Sequence, residues 1–128
     1  MTNASGPPRS PDDVRADLRT ALKTAMRDRD RVAVSALRSA LSAIDNAEAI
    51  PTEPTTYGDD SPVAGAAVGL GATEAARREL TLEDVHTLLA AEIEERQQAA
   101  AEIARAGHQD RADDLQREVE VLETFLAE

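Results

Sequence analysis

The sequence has no cysteine and no tryptophan, and its only aromatic side chains are Tyr57 and Phe125. The absence of cysteine excludes disulfides, thiolate catalysis and cysteine-ligated metal sites. With so few aromatic residues the core must be aliphatic and alanine-rich, which favours closely packed helices over a sheet. No apolar run approaches the roughly 20 residues that cross a bilayer, and the N-terminus lacks the apolar segment of a secretory signal. We therefore expect a cytoplasmic protein with no membrane contact.

Charge is unevenly distributed along the 128 residues, whose formal net charge is −11. Residues 1–50 contain 8 basic and 7 acidic side chains, whereas residues 80–128 contain 4 and 13. The acidic C-terminal half repels phosphate backbones, which argues against broad non-specific nucleic-acid binding. The first half nevertheless contains a basic corner, which we interpret as a solvated turn between helices, with an RNA contact as the alternative. This corner consists of Lys23, Arg27, Arg29 and Arg31.

Hydrophobic periodicity predicts four helices and no strand. A disordered arm over residues 1–10 is followed by the first helix, which Ser10 is predicted to cap. The second helix covers Asp28–Ala49 and is stopped by Pro51. Thr81 is predicted to cap the third helix, Gly107 to follow its end, and the fourth to begin near Asp110.

The predicted fold is therefore all-α: a small four-helix domain of two helical hairpins over residues 11–128. Residues 51–79 form a long irregular loop between the second and third helices, rich in proline, glycine and threonine. A connection of this length in a small domain indicates a functional loop or a flexible insertion, and we favour the insertion.

Charged residues interrupt the apolar faces of two helices. In the second helix, Glu48 falls within the roughly 80° arc of the apolar stripe, and Arg38 lies on its flank. In the third helix, Glu92 and Arg96 lie inside the apolar arc, four residues apart with the acid first. We expect Glu48, Glu92 and Arg96 to meet as a partly buried ion-pair cluster with Arg38 at its edge. A structural role in fixing helix register is favoured over a recognition or acid–base site.

No residue pattern supports catalysis. The sequence offers no Ser/His/Asp arrangement and no metal-ligand spacing, so no catalytic residue, metal or cofactor is predicted. The last helix carries a second apolar edge, Val121 and Phe125, beside its main face. Leftover apolar surface commonly marks an interface, so these two residues are predicted to contact a second copy or another protein.

Seven segments occur in an order that resembles the GatB/YqeY family. The similarity covers most of Asp17 to Leu126 except the insertion, and corresponds to the N-terminal helical domain of stand-alone YqeY-like proteins. The segments are Leu22–Met26 with Arg29-Asp30, Val34–Arg38, Ala43–Glu48, Leu80-Thr81 with Asp84-Val85, Glu92-Ile93 with Arg96, and Gly107-His108 with Asp110 and Ala112, closed by Glu118–Leu126.

This resemblance implies an all-α protein related to the tail of the GatB component of the aspartyl/glutamyl-tRNA amidotransferase. It implies the context of a carbon–nitrogen ligase with glutamine as amido donor, without making this chain the ligase. The leading hypothesis is a non-catalytic helical interaction module, accessory to amidotransfer or tRNA metabolism, whose partner is itself or an amidotransferase-type complex. The alternative is a tRNA-binding accessory protein that uses the basic corner. Typical members carry a second helical domain that this sequence does not match, which reduces the expectation of tRNA binding.

Overall fold

The computed structural model describes residues 9–49 and 78–126. These residues form four helices and no strand, which confirms the predicted all-α fold of two helical hairpins. The first hairpin pairs α1 with α2, and the second pairs α3 with α4. Most of the predicted arm (residues 1–8) and most of the predicted insertion (residues 51–77) lie outside the described residues. The helices are α1 Pro11–Arg27, α2 Arg31–Ala49, α3 Leu82–Arg105 and α4 Gln109–Leu126.

Both predicted N-caps form complete capping boxes. The Ser10 hydroxyl accepts the Asp13 backbone N–H at 3.1 Å, and the Asp13 carboxylate accepts the Ser10 N–H at 3.0 Å. Thr81 and Asp84 make the same reciprocal pair, each bond 3.0 Å long. The bond from the backbone N–H of Thr81 lowers the pKa of Asp84 below its ordinary value. The sequence pattern thus located two helix starts correctly.

Both hairpins turn through the same backbone motif. After α1, the N–H groups of Asp30 and Arg29 donate to the carbonyls of Ala25 and Met26. After α3, the N–H groups of His108 and Gly107 donate in the same way to the carbonyls of Ile103 and Ala104. This pair of bonds is the Schellman motif, which requires a left-handed residue at its centre. That residue is Gly107 (φ 94°) in the second hairpin but Arg29 (φ 57°) in the first.

The left-handed residue explains why α2 starts at Arg31 instead of at the predicted Asp28. Residues 28–30 turn the chain, and the Asp30 carboxylate then accepts the Ala33 N–H at 3.1 Å. No acidic residue occupies the first turn of α2 itself. Asp30 is therefore the residue that satisfies an orphan donor at this helix start.

The core is aliphatic, and α2 lies at its centre because it contacts the other three helices. The predicted apolar stripe of α2, Val34, Leu37, Leu41 and Ile44, is only half correct, because Leu37 and Ile44 are buried while Val34 and Leu41 are partly so. The buried face is completed by Ala33, Ala36 and Ala40, because small alanines let neighbouring helices approach closely. The fully buried large side chains are Leu18, Leu37, Ile44, Leu89, Leu122, Val14 and Val85.

Arg78 links the end of α2 to the start of α3 through non-covalent contacts. The backbone N–H of Arg78 donates to the carbonyl of Glu48 at 3.0 Å, and the Arg78 guanidinium lies 3.5 Å from Asp84. Leu80 is buried in the main core. The chain thus leaves α2 and re-enters the described fold at neighbouring points.

Candidate functional site: a buried ion network and an arginine groove

A largely buried ion network connects three helices of the bundle. Arg96 on α3 donates from Nε to Glu118 on α4 at 2.7 Å, and from Nη1 to Glu92 at 2.9 Å. The hydroxyl of Ser39 on α2 donates to the same Glu92 oxygen at 2.6 Å. The side chains of Arg96 and Glu118 are only 12% and 5% exposed. This network therefore fixes α2, α3 and α4 relative to one another.

The electrostatics of Arg96 follow from this geometry. Burial on its own lowers the pKa of Arg96, but the hydrogen bonds and charges of Glu118 and Glu92 outweigh that effect and raise it. The guanidinium consequently stays charged at every pH at which the protein would be handled. A permanently charged group held by two carboxylates suits a structural role.

Glu48 does not belong to this network, so the predicted meeting of Glu48 with Glu92 and Arg96 is wrong. Its carboxylate forms an ion pair with Arg15 on α1. The separation of nine positions between Ser39 and Glu48 corresponds to a rise of ~13 Å along α2. Glu92 and Arg96 do pair as predicted. Glu48, however, forms its ion pair within the first hairpin, whereas Arg96 forms its ion pairs within the second hairpin.

The predicted partner Arg38 is not at the edge of the network either. It is exposed and lines a shallow groove of about 830 Å³ along the first turns of α2. The floor of this groove includes Met26, which is 49% exposed and is the one large hydrophobic residue that is exposed within residues 9–49 and 78–126. We call this surface the arginine groove. It is lined by Met26, Arg29, Arg31, Val34, Ser35 and Arg38.

The three arginines of the groove have no partner within the described part of the chain. None of their side chains forms an ion pair or hydrogen bond there, in contrast to Arg96 and Arg15. Of the two neighbouring acids, Asp30 uses its carboxylate to cap α2. Asp28 is the C-cap residue of α1 through its backbone, and its side chain forms no ion pair with the three arginines in residues 9–49 and 78–126. Residues 26–38 together carry a formal charge of +2 in a chain of −11.

Two of these arginines occupy positions that are locally unfavourable for folding. Arg29 has left-handed backbone, which glycine adopts at lower energy. Arg31 is the first residue of α2, where its positive charge opposes the positive end of the helix dipole. Departures from local preference concentrate at functional sites. The groove therefore combines unpaired charge, exposed apolar surface and residues whose positions are energetically unfavourable for folding.

The basic corner predicted from the sequence is only partly reproduced. Arg29 and Arg31 line the groove, whereas Lys23 and Arg27 are exposed on α1 and do not. Sequence reasoning placed Arg38 elsewhere and did not single out Met26. The helical spacing of residues 31, 34, 35 and 38 was the signal that could have joined Arg38 to the corner.

The predicted interface at the end of α4 is not free apolar surface. Val121 and Phe125 are partly buried and pack against the main core of the same chain. Sequence reasoning also left Ser39, Arg15 and Glu118 without assigned roles in the ion pairs. Glu118 lies between buried neighbours on α4, and an acid at such a position signals a buried partner.

Comparisons with protein-family models, curated proteins and solved structures gave no match. The resemblance to the GatB/YqeY family therefore stays a prediction. Among the described helices, none is long and apolar enough to span a membrane. No group of three or more histidine, aspartate or glutamate side chains suited to a metal ion occurs in residues 9–49 and 78–126.

Proposed function

We propose that this chain is a non-catalytic α-helical protein-interaction module whose binding surface is the arginine groove. The observation that carries the proposal is the set of three unpaired arginines around half-exposed Met26. Arginine and methionine are enriched at protein interfaces, and charged rims around apolar centres are typical of them. The interface predicted at Val121 and Phe125 is replaced by this groove.

The buried network supports the non-catalytic part of the proposal. Glu92 and Glu118, whose side chains are 17% and 5% exposed, both bind Arg96. Each also borders a shallow surface pocket, but the Arg96 guanidinium already engages one oxygen of each carboxylate. Their arrangement fits a role in holding helices together.

The resemblance supplies the cellular context of the proposal: an accessory to glutamine-dependent, tRNA-linked amidotransfer or to tRNA metabolism. Two arginines of the groove, Arg29 and Arg38, lie inside segments that carry this resemblance. An amidotransferase-type complex is accordingly the protein partner that we would test first. This part rests on motif order alone.

The alternative function, tRNA binding, would use the same arginines. Guanidinium groups without partners are the chemistry that phosphate contacts require. Against it stands the acidic second hairpin, because the 13 acidic and 4 basic residues in positions 80–128 repel a polyanion. We therefore place protein binding first.

Affinity capture from native lysate with three forms of the chain tests the proposal. The groove variant is Arg29→Gln/Arg31→Gln/Arg38→Gln, and the control variant is Arg19→Gln/Arg105→Gln/Arg117→Gln, which removes three exposed arginines that do not line the groove. We expect one or more proteins to be retained by wild type and by the control variant but lost by the groove variant. Identical protein profiles for the two variants would contradict the proposal. Salt-sensitive retention of tRNA that depends on the groove, without any protein, would favour the alternative.

A further inference from the structure

The geometry of α2 sets the spacing that a ligand of the groove must match. Arg31, Val34, Ser35 and Arg38 line the groove together, since their spacing of three, one and three places them on one side of the helix. The seven residues from Arg31 to Arg38 correspond to a rise of ~10.5 Å. A second helix lying along α2 has the same rise per seven residues. Two carboxylates seven residues apart on that helix would therefore face the two arginines together.

The space between the two arginines is mostly apolar, with Ser35 as its polar residue. Val34 is partly buried there, and Met26 from α1 extends beside it with half of its surface exposed. Carboxylates alone would leave this floor uncovered. A ligand that covers it must place an aliphatic or aromatic side chain between its two acids. Burial of such surface adds affinity that charge pairing at an exposed site does not provide.

A second copy of this chain fits these requirements poorly. The exposed faces of α3 and α4 offer carboxylates such as Glu94, Glu102 and Glu120. Within residues 9–49 and 78–126, however, Met26 is the only large hydrophobic residue that is exposed. Those acidic faces therefore lack the apolar side chain that the groove floor calls for.

Single-stranded nucleic acid also fits less well than a protein helix. Sequence-tolerant binding of bases relies on aromatic platforms, and the groove is lined by methionine, valine, serine and arginine instead. Phosphates would satisfy the arginines but would leave Met26 and Val34 facing polar backbone.

From these observations we infer that the arginine groove binds an acidic amphipathic helix of another protein, with two carboxylates seven residues apart and large apolar residues between them. This inference rests on the proposed function and specifies the chemistry of its partner. The partner helix lies along the first two turns of α2, with its acids on Arg31 and Arg38. Arg29, at the end of the groove, adds a third cation there.

The test uses the full chain labelled with ¹⁵N and a synthetic alanine-based helical peptide. The peptide carries glutamates at two positions seven residues apart and leucines three and four residues after the first. We expect saturable shifts of the amide resonances of residues 26–38. Replacement of both glutamates by glutamine, or of both leucines by alanine, should each weaken binding by about tenfold, or ~1.4 kcal/mol. The groove variant should bind at least about tenfold more weakly than wild type, and the control variant like wild type.

Three results would overturn this inference. One is the absence of shifts in residues 26–38 at millimolar peptide, and another is equal binding of the leucine-free peptide. The third is bulk tRNA shifting the same amides at a lower concentration than the peptide does. If the affinity capture still shows a protein lost only from the groove variant, the proposed function survives and only the acidic helix is rejected. If capture also shows no difference, both fail.

Discussion

Arginine lies in opposite surroundings in two regions of the molecule. In the largely buried ion network, Arg96 is 12% exposed and is held by Glu92 and Glu118. At the corner of the first hairpin, Arg29, Arg31 and Arg38 are exposed and have no partner in the described part of the chain. The first arrangement contributes to folding by connecting helices. The second forms no ion pair or hydrogen bond that connects helices within residues 9–49 and 78–126.

The two hairpin turns repeat this contrast. Both form the same hydrogen-bonded motif, with Gly107 in one and Arg29 in the other. Glycine suits the left-handed backbone, whereas arginine raises its energy. The second hairpin is thus built with the residue that folding favours. The first carries a charged residue at the same position, Arg29, which the proposed binding role would account for.

The largest expected effect is on the buried network. Arg96→Met leaves Glu118, which is 5% exposed, without a counter-charge, and should lower the free energy of unfolding by about 3 kcal/mol. Urea denaturation followed by circular dichroism measures this change. The double variant Arg96→Met/Glu118→Leu should recover most of the loss, because it removes both charges. If Arg96→Met lowered the free energy of unfolding by less than about 1 kcal/mol, the buried network would not differ from the groove in its contribution to stability.

The ion pair of the first hairpin should have a smaller and independent effect. Glu48→Ala removes a partly buried partner of Arg15 and should cost about 1 kcal/mol of unfolding free energy. Since Glu48 and Arg96 lie in separate ion pairs, the double variant Glu48→Ala/Arg96→Ala should show the sum of the two single effects, within about 0.5 kcal/mol. A clear departure from additivity would show that Glu48 and Arg96 interact, which would contradict the structure.

The hairpin turns should respond in opposite directions to the same kind of exchange. Arg29→Gly is expected to raise the free energy of unfolding by about 0.5–1 kcal/mol, because glycine adopts φ 57° more readily. Gly107→Ala is expected to lower it by about 1 kcal/mol, since its φ is 94°. No atom lies within 4 Å of an added Cβ at Gly107, so the change would be conformational only. Thermal unfolding of both variants checks the signs, and a stabilised Gly107→Ala would refute the account of the turns.

The smallest effect concerns pH and the cap of α3. Because the pKa of Asp84 is lowered in the folded state, its contribution to stability is present above its ordinary pKa and is lost as pH falls through the folded value. Wild type and Asp84→Asn should therefore differ more in thermal stability at about pH 5 than at about pH 3. A difference that does not change over this range would show that the carboxylate charge is not what stabilises the cap.

Much of this fold is predictable from local patterns, because caps, left-handed glycines and helical periodicity act within a few residues. Ser10, Thr81 and Gly107 mark helix ends in the structure as they do in the sequence. The ion pairs were harder, since an inward charge on a helix shows that a partner exists but not which helix supplies it. Glu92 and Arg96 share a helix and were paired correctly, whereas Glu48 and Glu118 depend on how helices pack.

The arginine groove could be predicted only in part for the same reason. Arg29 and Arg31 are close in sequence, and Arg38 joins them because it lies seven residues after Arg31 on the same side of α2. Met26 joins them through the packing of α1 against α2. The burial of the alanine face of α2 also leaves Val34 to line the groove. Side-chain size alone predicted Val34 and Leu41 to be as deeply buried as Leu37 and Ile44, whereas only the latter two are.

The most direct test of the division between folding and binding is urea denaturation of the groove variant, Arg29→Gln/Arg31→Gln/Arg38→Gln, beside wild type and Arg96→Met. Exposed groups without partners contribute little to stability. We therefore predict a free energy of unfolding within about 0.5 kcal/mol of wild type for the groove variant. A loss as large as that of Arg96→Met would show that the groove arginines stabilise the fold, and would contradict their assignment as a binding surface.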